Sequence, residues 1–204
     1  SQAMNLTGIS DALGRTKQEL FRVLQCLHGR GYLVRDEAQG YRLSTKLFEI
    51  GSRHASTQTL IARALPHMER LSAELEESCH LNIVVQNRML VAARVECSAD
   101  VMLTVRIGAT FELHRRTSGL VALAMLPPHR QEEYWQQCGE SAAQIDHLKA
   151  ELQEIRERGY GQADSTIAVG VQDCAAPVLG GGSQLLGVLC VSHIRRTNEF
   201  NGLT

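Results

Sequence analysis

At 204 residues the chain has room for one large domain or two ordinary ones, and its 44% hydrophobic content is that of a globular protein. A formal net charge of −1 excludes a binder with basic surface on all sides, and no apolar run approaches the ~20 residues of a membrane span. No signal sequence is read at the start, and six widely spaced cysteines do not form a small disulfide scaffold, so the expected location is the cytoplasm.

Ile9, Ala12 and Leu13 set a short apolar face that Gly14 breaks. Thr16-Lys17-Gln18-Glu19 has the spacing of a capping box, which predicts a second helix after a two-residue turn. Leu20, Val23, Leu24 and Leu27 recur at helical spacing and are predicted to face a core. The opposite face then carries Lys17, Gln18, Arg22 and Gln25, whose donors suit phosphates and base edges in a major groove. Gly29 and Gly31 end this helix and the period changes to two. Tyr32-Leu33-Val34 and Tyr41-Arg42-Leu43 read as strands on either side of the charged tip 35–40.

These parts make a winged helix-turn-helix, with a plain helical hairpin and surface β-turn as the alternative. Its candidate contacts to double-stranded DNA are Thr16, Lys17, Gln18, Arg22, Gln25, Arg35 and Arg42. Residues 1–60 hold eight Lys/Arg against five Asp/Glu, an excess of three positive charges, so the remainder carries −4. The basic excess sits where DNA would be met, and it is small enough that firm binding calls for two copies side by side.

Ser44-Thr45 is predicted to cap a connecting helix through Leu47, Phe48 and Ile50 to Gly51. Residues 52–59 are small and polar and read as a linker between a first domain, 4–51, and a second, 60–204. Leu60, Ile61, Ala64, Met68, Leu71 and Leu75 mark one face of a long helix, in which Pro66 predicts a kink or the true beginning. From His80 the pattern alternates through Leu81, Ile83 and Val85, turns at Asn87-Arg88, and returns over 90–95; a third strand is predicted over 102–107. Ser118 to Leu126 reads as an apolar helix stopped by Pro127-Pro128, and Ile145, Leu148, Leu152 and Ile155 define another. Residues 171–179 and 185–192 form a predicted hairpin across Gly180-Gly181-Gly182. This order points to an α+β fold with an antiparallel sheet flanked by helices.

The cysteines read as buried free thiols. Cys79-His80 and Cys190 with His193 are the nearest approach to zinc ligands, but their spacing matches no known knuckle, and no metal or other cofactor is implied. A thiol-dependent catalyst built from Cys174 or Cys190 with His193 is the enzyme alternative; both cysteines lie in apolar strand sequence, which disfavours the thiolate.

The stretches Lys17 to Tyr32, Tyr41 to Gly51, Thr117-Ser118-Gly119, Arg158-Gly159-Tyr160 and Gly170 to Val178, in this order, resemble the IclR family of bacterial transcriptional regulators. The resemblance spans most of residues 6–194. It implies a winged helix-turn-helix whose first helix is missing here, a linker helix, and a GAF-like, profilin-like α/β effector-binding domain. It also implies operator DNA as partner, a small-molecule effector, and assembly into homodimers or homotetramers, whether the outcome is repression or activation. By position, the effector pocket would draw on Arg116, Gly119, Leu120, Ala163 or Asp164, Asp173 or Cys174, Cys190 and Ser192.

Two residues depart from the family pattern. Asp173-Cys174 stands where a cysteine commonly precedes the Ala-Ala-Pro stretch, and Arg116 stands where histidine is common. An Asp173–Arg116 pair would favour a hydroxylated ligand, whereas an Arg116 left open would join the N–H groups at Ser118-Gly119 in holding an organic or aromatic acid.

Overall fold

The computed structural model describes residues 3–36, 40–52 and 55–194. The chain divides between Gln58 and Thr59 into two compact units.

In the first unit, helix α1 (Leu6–Leu13) starts at Asn5, whose side chain accepts from the Gly8 N–H at 2.8 Å, and stops at Gly14 in the left-handed region. Helix α2 (Lys17–Gly29) begins with the predicted capping box. The Glu19 N–H donates to the Thr16 hydroxyl at 3.3 Å, and the Thr16 N–H donates back to the Glu19 carboxylate at 3.0 Å. These bonds from the Thr16 side chain and backbone hold the Glu19 carboxyl below its usual range. Strands β1 (Leu33–Arg35) and β2 (Tyr41–Leu43) pair antiparallel as the wing, and Met4 bridges to Tyr41 on the other side. The predicted tip residues Glu37, Ala38 and Gln39 lie outside the described residues.

The predicted core stripe of α2 needs a correction. Leu24 is buried and Leu20 and Leu27 are half-buried, but Val23 is 52% exposed. Val23 sits at the edge of the stripe, where no element of this small unit covers it. Helix α3 (Lys46–Ser52) is capped by the Ser44 hydroxyl, which accepts from the Lys46 N–H at 3.1 Å. Of the predicted linker, Ser52 closes α3 and 55–59 are helical, while Arg53 and His54 lie outside the described residues.

Helix α4 (Ala55–Leu75) continues into the second unit with Pro66 in its interior, so Pro66 does not mark its beginning. The sheet comprises β3 (Cys79–Val85), β4 (Arg88–Val95), β5 (Thr110–Glu112), β6 (Gly161–Asp164), β7 (Val171–Leu179) and β8 (Leu185–Ile194). Its order is β5-β4-β3-β8-β7-β6, and the neighbours pair antiparallel. Between strands lie α5 (Thr117–Met125), α6 (Pro128–Trp135) and α7 (Ala142–Arg158). One sheet face buries Cys79, Leu81 and Ala93 with Met68 of α4. The other buries Met89, Val91, Ala175 and Val188 with Leu123 of α5 and Leu152 and Ile155 of α7.

Helix α5 is buried on all sides from Thr117 to Ala124, which explains its continuous apolar sequence. Gly119 permits this depth, since a Cβ there would lie 2.0 Å from the Leu113 carbonyl oxygen.

Two predictions are corrected here, and two elements are new. The first turn falls at Gln86-Asn87, one residue earlier than read, with Gln86 at φ +55°. The predicted strand 102–107 joins no ladder; Gly108 turns the chain at φ +84° and Thr110–Glu112 takes the β4 edge instead. Helix α6 and strand β6 were not foreseen.

Candidate functional site

On α2, Lys17, Gln18, Arg22 and Gln25 are all exposed, as is Arg42 on β2. Two of the predicted DNA contacts have other engagements. The Thr16 hydroxyl is held in the capping box, and the Arg35 guanidinium lies over the Tyr41 ring at 4.8 Å and donates to its hydroxyl. The face left for a ligand is therefore the polar side of α2 with Arg42 of β2.

In the second unit, a cavity of about 80 Å³ lies over the sheet at the start of α5. Strand β3 supplies His80, β7 supplies Val171 and Asp173, and β8 supplies Cys190 and Ser192. Register explains the set: His80 pairs with Cys190 and Asp173 with Ser192, so their side chains share one face. Leu103, Thr104 and Val105 close one side, Ser165, Ile167 and Ala168 another, and Phe111, Arg116 and Ser118 the third.

The charges are arranged so that Asp173 is satisfied internally and Arg116 is not. The Ser192 hydroxyl donates to Asp173 Oδ1 at 2.5 Å. The Arg116 guanidinium lies over the Phe111 ring, 4.4 Å from its centroid, and among the described residues no carboxylate oxygen is within 4 Å of it. The anticipated Asp173–Arg116 pair is not formed. His80 is 8% exposed; burial pushes it down to about 4, opposed by the Asp173 charge and reinforced by Arg116. The imidazole is thus neutral at pH 7. Burial also pushes the thiols of Cys190 and Cys174 up, the first far above its usual range, so neither is a poised nucleophile.

Of the predicted pocket residues, the structure brings Arg116, Asp173, Cys190 and Ser192 together around the cavity. Cys174, one residue on, faces the opposite side of the sheet beside Leu71, Leu75 and Val191. Gly119 and Leu120 pack into the core and Asp164 is exposed on β6, so these three do not line the cavity. His80, Ser118 and Val171 do line it, and sequence reasoning missed them. The signal for His80 was its phase: it alternates with Asn82 on the face opposite Leu81. Among the described residues, no group of three His, Cys, Asp or Glu side chains could hold a metal ion, and no helix is long and apolar enough to cross a membrane.

A family model described as the bacterial transcriptional regulator IclR C-terminal matches residues 53–201. The regulator KdgR of Dickeya chrysanthemi is 26% identical over 182 residues, covering 86% of this chain and 60% of that protein. The Pca regulon regulatory protein of Pseudomonas putida is 27% identical over 198 residues, covering 91% of this chain and 67% of that protein. This chain therefore spans roughly two thirds of the length of such relatives or slightly less. Among solved structures, HmgR of Pseudomonas aeruginosa superposes with a TM-score of 0.74 at 26% identity, covering 94% of this chain and 82% of that one. An IclR homolog from Microbacterium hydrocarbonoxydans, complexed with 4-hydroxybenzoate, superposes with a TM-score of 0.80 at 23% identity, covering 95% and 82%.

Proposed function

The chain belongs to the IclR family of bacterial transcriptional regulators, and from that premise we propose that it is a cytoplasmic, ligand-responsive regulator that binds operator DNA through α2 and the wing. The observation that carries the reading is the cavity with Arg116 on its wall and, among the described residues, no carboxylate oxygen within 4 Å of that guanidinium.

The cavity chemistry favours a short organic acid that also carries a hydroxyl. Its carboxylate meets the Arg116 guanidinium and the first turn of α5, where the Thr117 and Ser118 N–H groups precede the first intrahelical bond and the Gly119 N–H, contrary to expectation, is taken by the Arg116 carbonyl at 2.9 Å. Its hydroxyl donates to Asp173, which already accepts from Ser192. Size selects within this class: about 80 Å³ is below the roughly 150 Å³ of a cavity that holds one benzene, so short hydroxy acids fit as the walls stand and an aromatic acid requires them to move. The 4-hydroxybenzoate carried by the fold relative unites the same two groups, an acid and a hydroxyl.

Occupancy favours one of two arrangements of a homodimer or homotetramer, and so changes the spacing of its recognition helices. The test uses the full-length protein. Selection from a random duplex pool, followed by gel shift with and without glycolate, lactate and malate, is expected to enrich one sequence class whose affinity responds to an acid. No enrichment over background contradicts DNA binding; enrichment with no response to any acid contradicts the effector class.

A further inference from the structure

Outside the cavity the second unit has a larger, open groove of about 910 Å³, bounded by the β5 edge, the start of α7 and the loop between β6 and β7. Phe111, Arg116 and Ile167 line both spaces, so cavity and groove share one wall.

The carboxylates of the groove are already engaged. Glu140 accepts from His114 Nε2 at 3.0 Å and Arg115 Nη2 at 2.9 Å, and Glu112 accepts from Arg115 Nε at 3.1 Å. His114 is anchored on its other side by the buried Tyr134 hydroxyl at 2.6 Å, which fixes this network in place. Two guanidiniums are left without a carboxylate within 4 Å among the described residues. Arg116 rests on Phe111, and Arg88 makes only two long bonds, both 3.4 Å, to Thr110.

Helix α7 adds to the same field. Its cap residue Ser141 accepts from the Gln144 N–H, which leaves the Ala142 and Ala143 amides without an intrahelical partner, and Ala143 lines the groove. Leu148 and Ile167 supply apolar surface between these positive groups. A positively poised groove with an apolar floor matches one ligand chemistry, a carboxylate on an aromatic body.

We propose that this groove is a second small-molecule site, which takes aromatic monocarboxylates too large for the cavity. The ring lies on Leu148 and Ile167 beside the Arg116–Phe111 stack, and the carboxylate sits between Arg88 and the first amides of α7. Arg116, shared by both sites, gives the second ligand a direct route to the first.

The probe is biphenyl-4-carboxylate, whose two rings exceed the cavity, titrated into the methyl-labelled full chain and read by methyl NMR. Saturable shifts at Leu148 and Ile167 are expected, with at least a fivefold loss of affinity in Arg88→Ala. His147→Glu places a carboxylate on the groove rim from an exposed side chain, and the same loss is expected if Arg88→Ala fails to fold. Shifts confined to Leu103 and Val171 would put the acid in the cavity and overturn the proposal. Unchanged affinity in both variants would overturn it equally.

Discussion

In the first unit Leu24 and Tyr41 are the only buried hydrophobic side chains among the described residues, while Leu13, Phe21, Val23, Leu43, Leu47 and Phe48 stand exposed. In the second unit the sheet is covered on both faces, and Met68, Leu81, Met89, Val121, Leu123 and Leu152 are at most 1% exposed. The first unit is held by local devices: three caps at Asn5, Thr16 and Ser44, the left-handed glycines Gly14 and Gly31, and a short wing. They suffice to present a polar helix face outward, because recognition at a surface needs little core. A site that encloses its ligand has to be built inside a core, and the second unit has the depth for it. The polar cluster of His80, Asp173 and Ser192 is tolerable there because its members are neutral or hydrogen-bonded.

The contrast breaks most sharply on truncation of apolar side chains. Leu123→Ala removes a fully buried side chain and is expected to cost about 2–5 kcal/mol in denaturant unfolding of the second unit, whereas Val23→Ala, half exposed in the first, should stay within about 0.5 kcal/mol. Equal losses at the two positions would remove the distinction.

A slightly smaller effect belongs to His80. Its folded-state value lies below its ordinary 6.5, so between pH 6.5 and about 4 the unfolded chain binds the extra proton. Stability is therefore full above pH 6.5 and falls as pH drops toward 4, by about 3 kcal/mol from this group. Urea titrations at several pH values should show that slope, and His80→Gln should flatten it. A wild-type stability that is level across this window would contradict the burial argument.

Next in size is the surface site. Arg22→Ala in the full-length protein should weaken operator binding by about 1–3 kcal/mol in gel shift while leaving the melting temperature unchanged. Affinity equal to wild type would take α2 out of the groove. The smallest effect is local: Thr16→Ala breaks the capping box and should lower the stability of the first unit by about 1 kcal/mol, leaving the second untouched.

The same contrast explains what could be read without the fold. The Thr16–Glu19 box, the break at Gly14 and the second wing strand are chemistry between near neighbours, and they appear where the residues put them; the first wing strand runs Leu33–Arg35, one residue later than Tyr32–Val34, because Arg35 pairs with Tyr41 and so leaves the tip. The hairpin of β7 and β8 was legible from two strand-like runs on either side of Gly180-Gly181-Gly182. What failed depended on distant partners. Residues 102–107 have strand composition, yet the β4 edge goes to Thr110–Glu112, and nothing within the segment records that competition. Val23 has core composition and lacks only a cover.

At the cavity, the choice between Asp173 and Cys174 was open because one residue of register decides it, and the pairing of Asp173 with Ser192 settles the parity. His80 was passed over because the phase of Leu81, Ile83 and Val85 was read as the buried one. In a sheet covered on both faces the other phase is buried as well. Gly119 and Leu120 stand at the right helix start, but α5 is packed on all sides and turns them into the core.

We propose that the second unit binds an acid at Arg116. Thermal-shift titration of wild type and Arg116→Ala with glycolate, lactate and malate, each beside its neutral amide, tests it most directly. An acid that stabilises the wild-type chain should bind the variant about tenfold or more weakly, with its amide equally weak on both, since a charge-assisted bond contributes about 1.5–3 kcal/mol. Equal affinity of the acid for the two proteins would contradict the account.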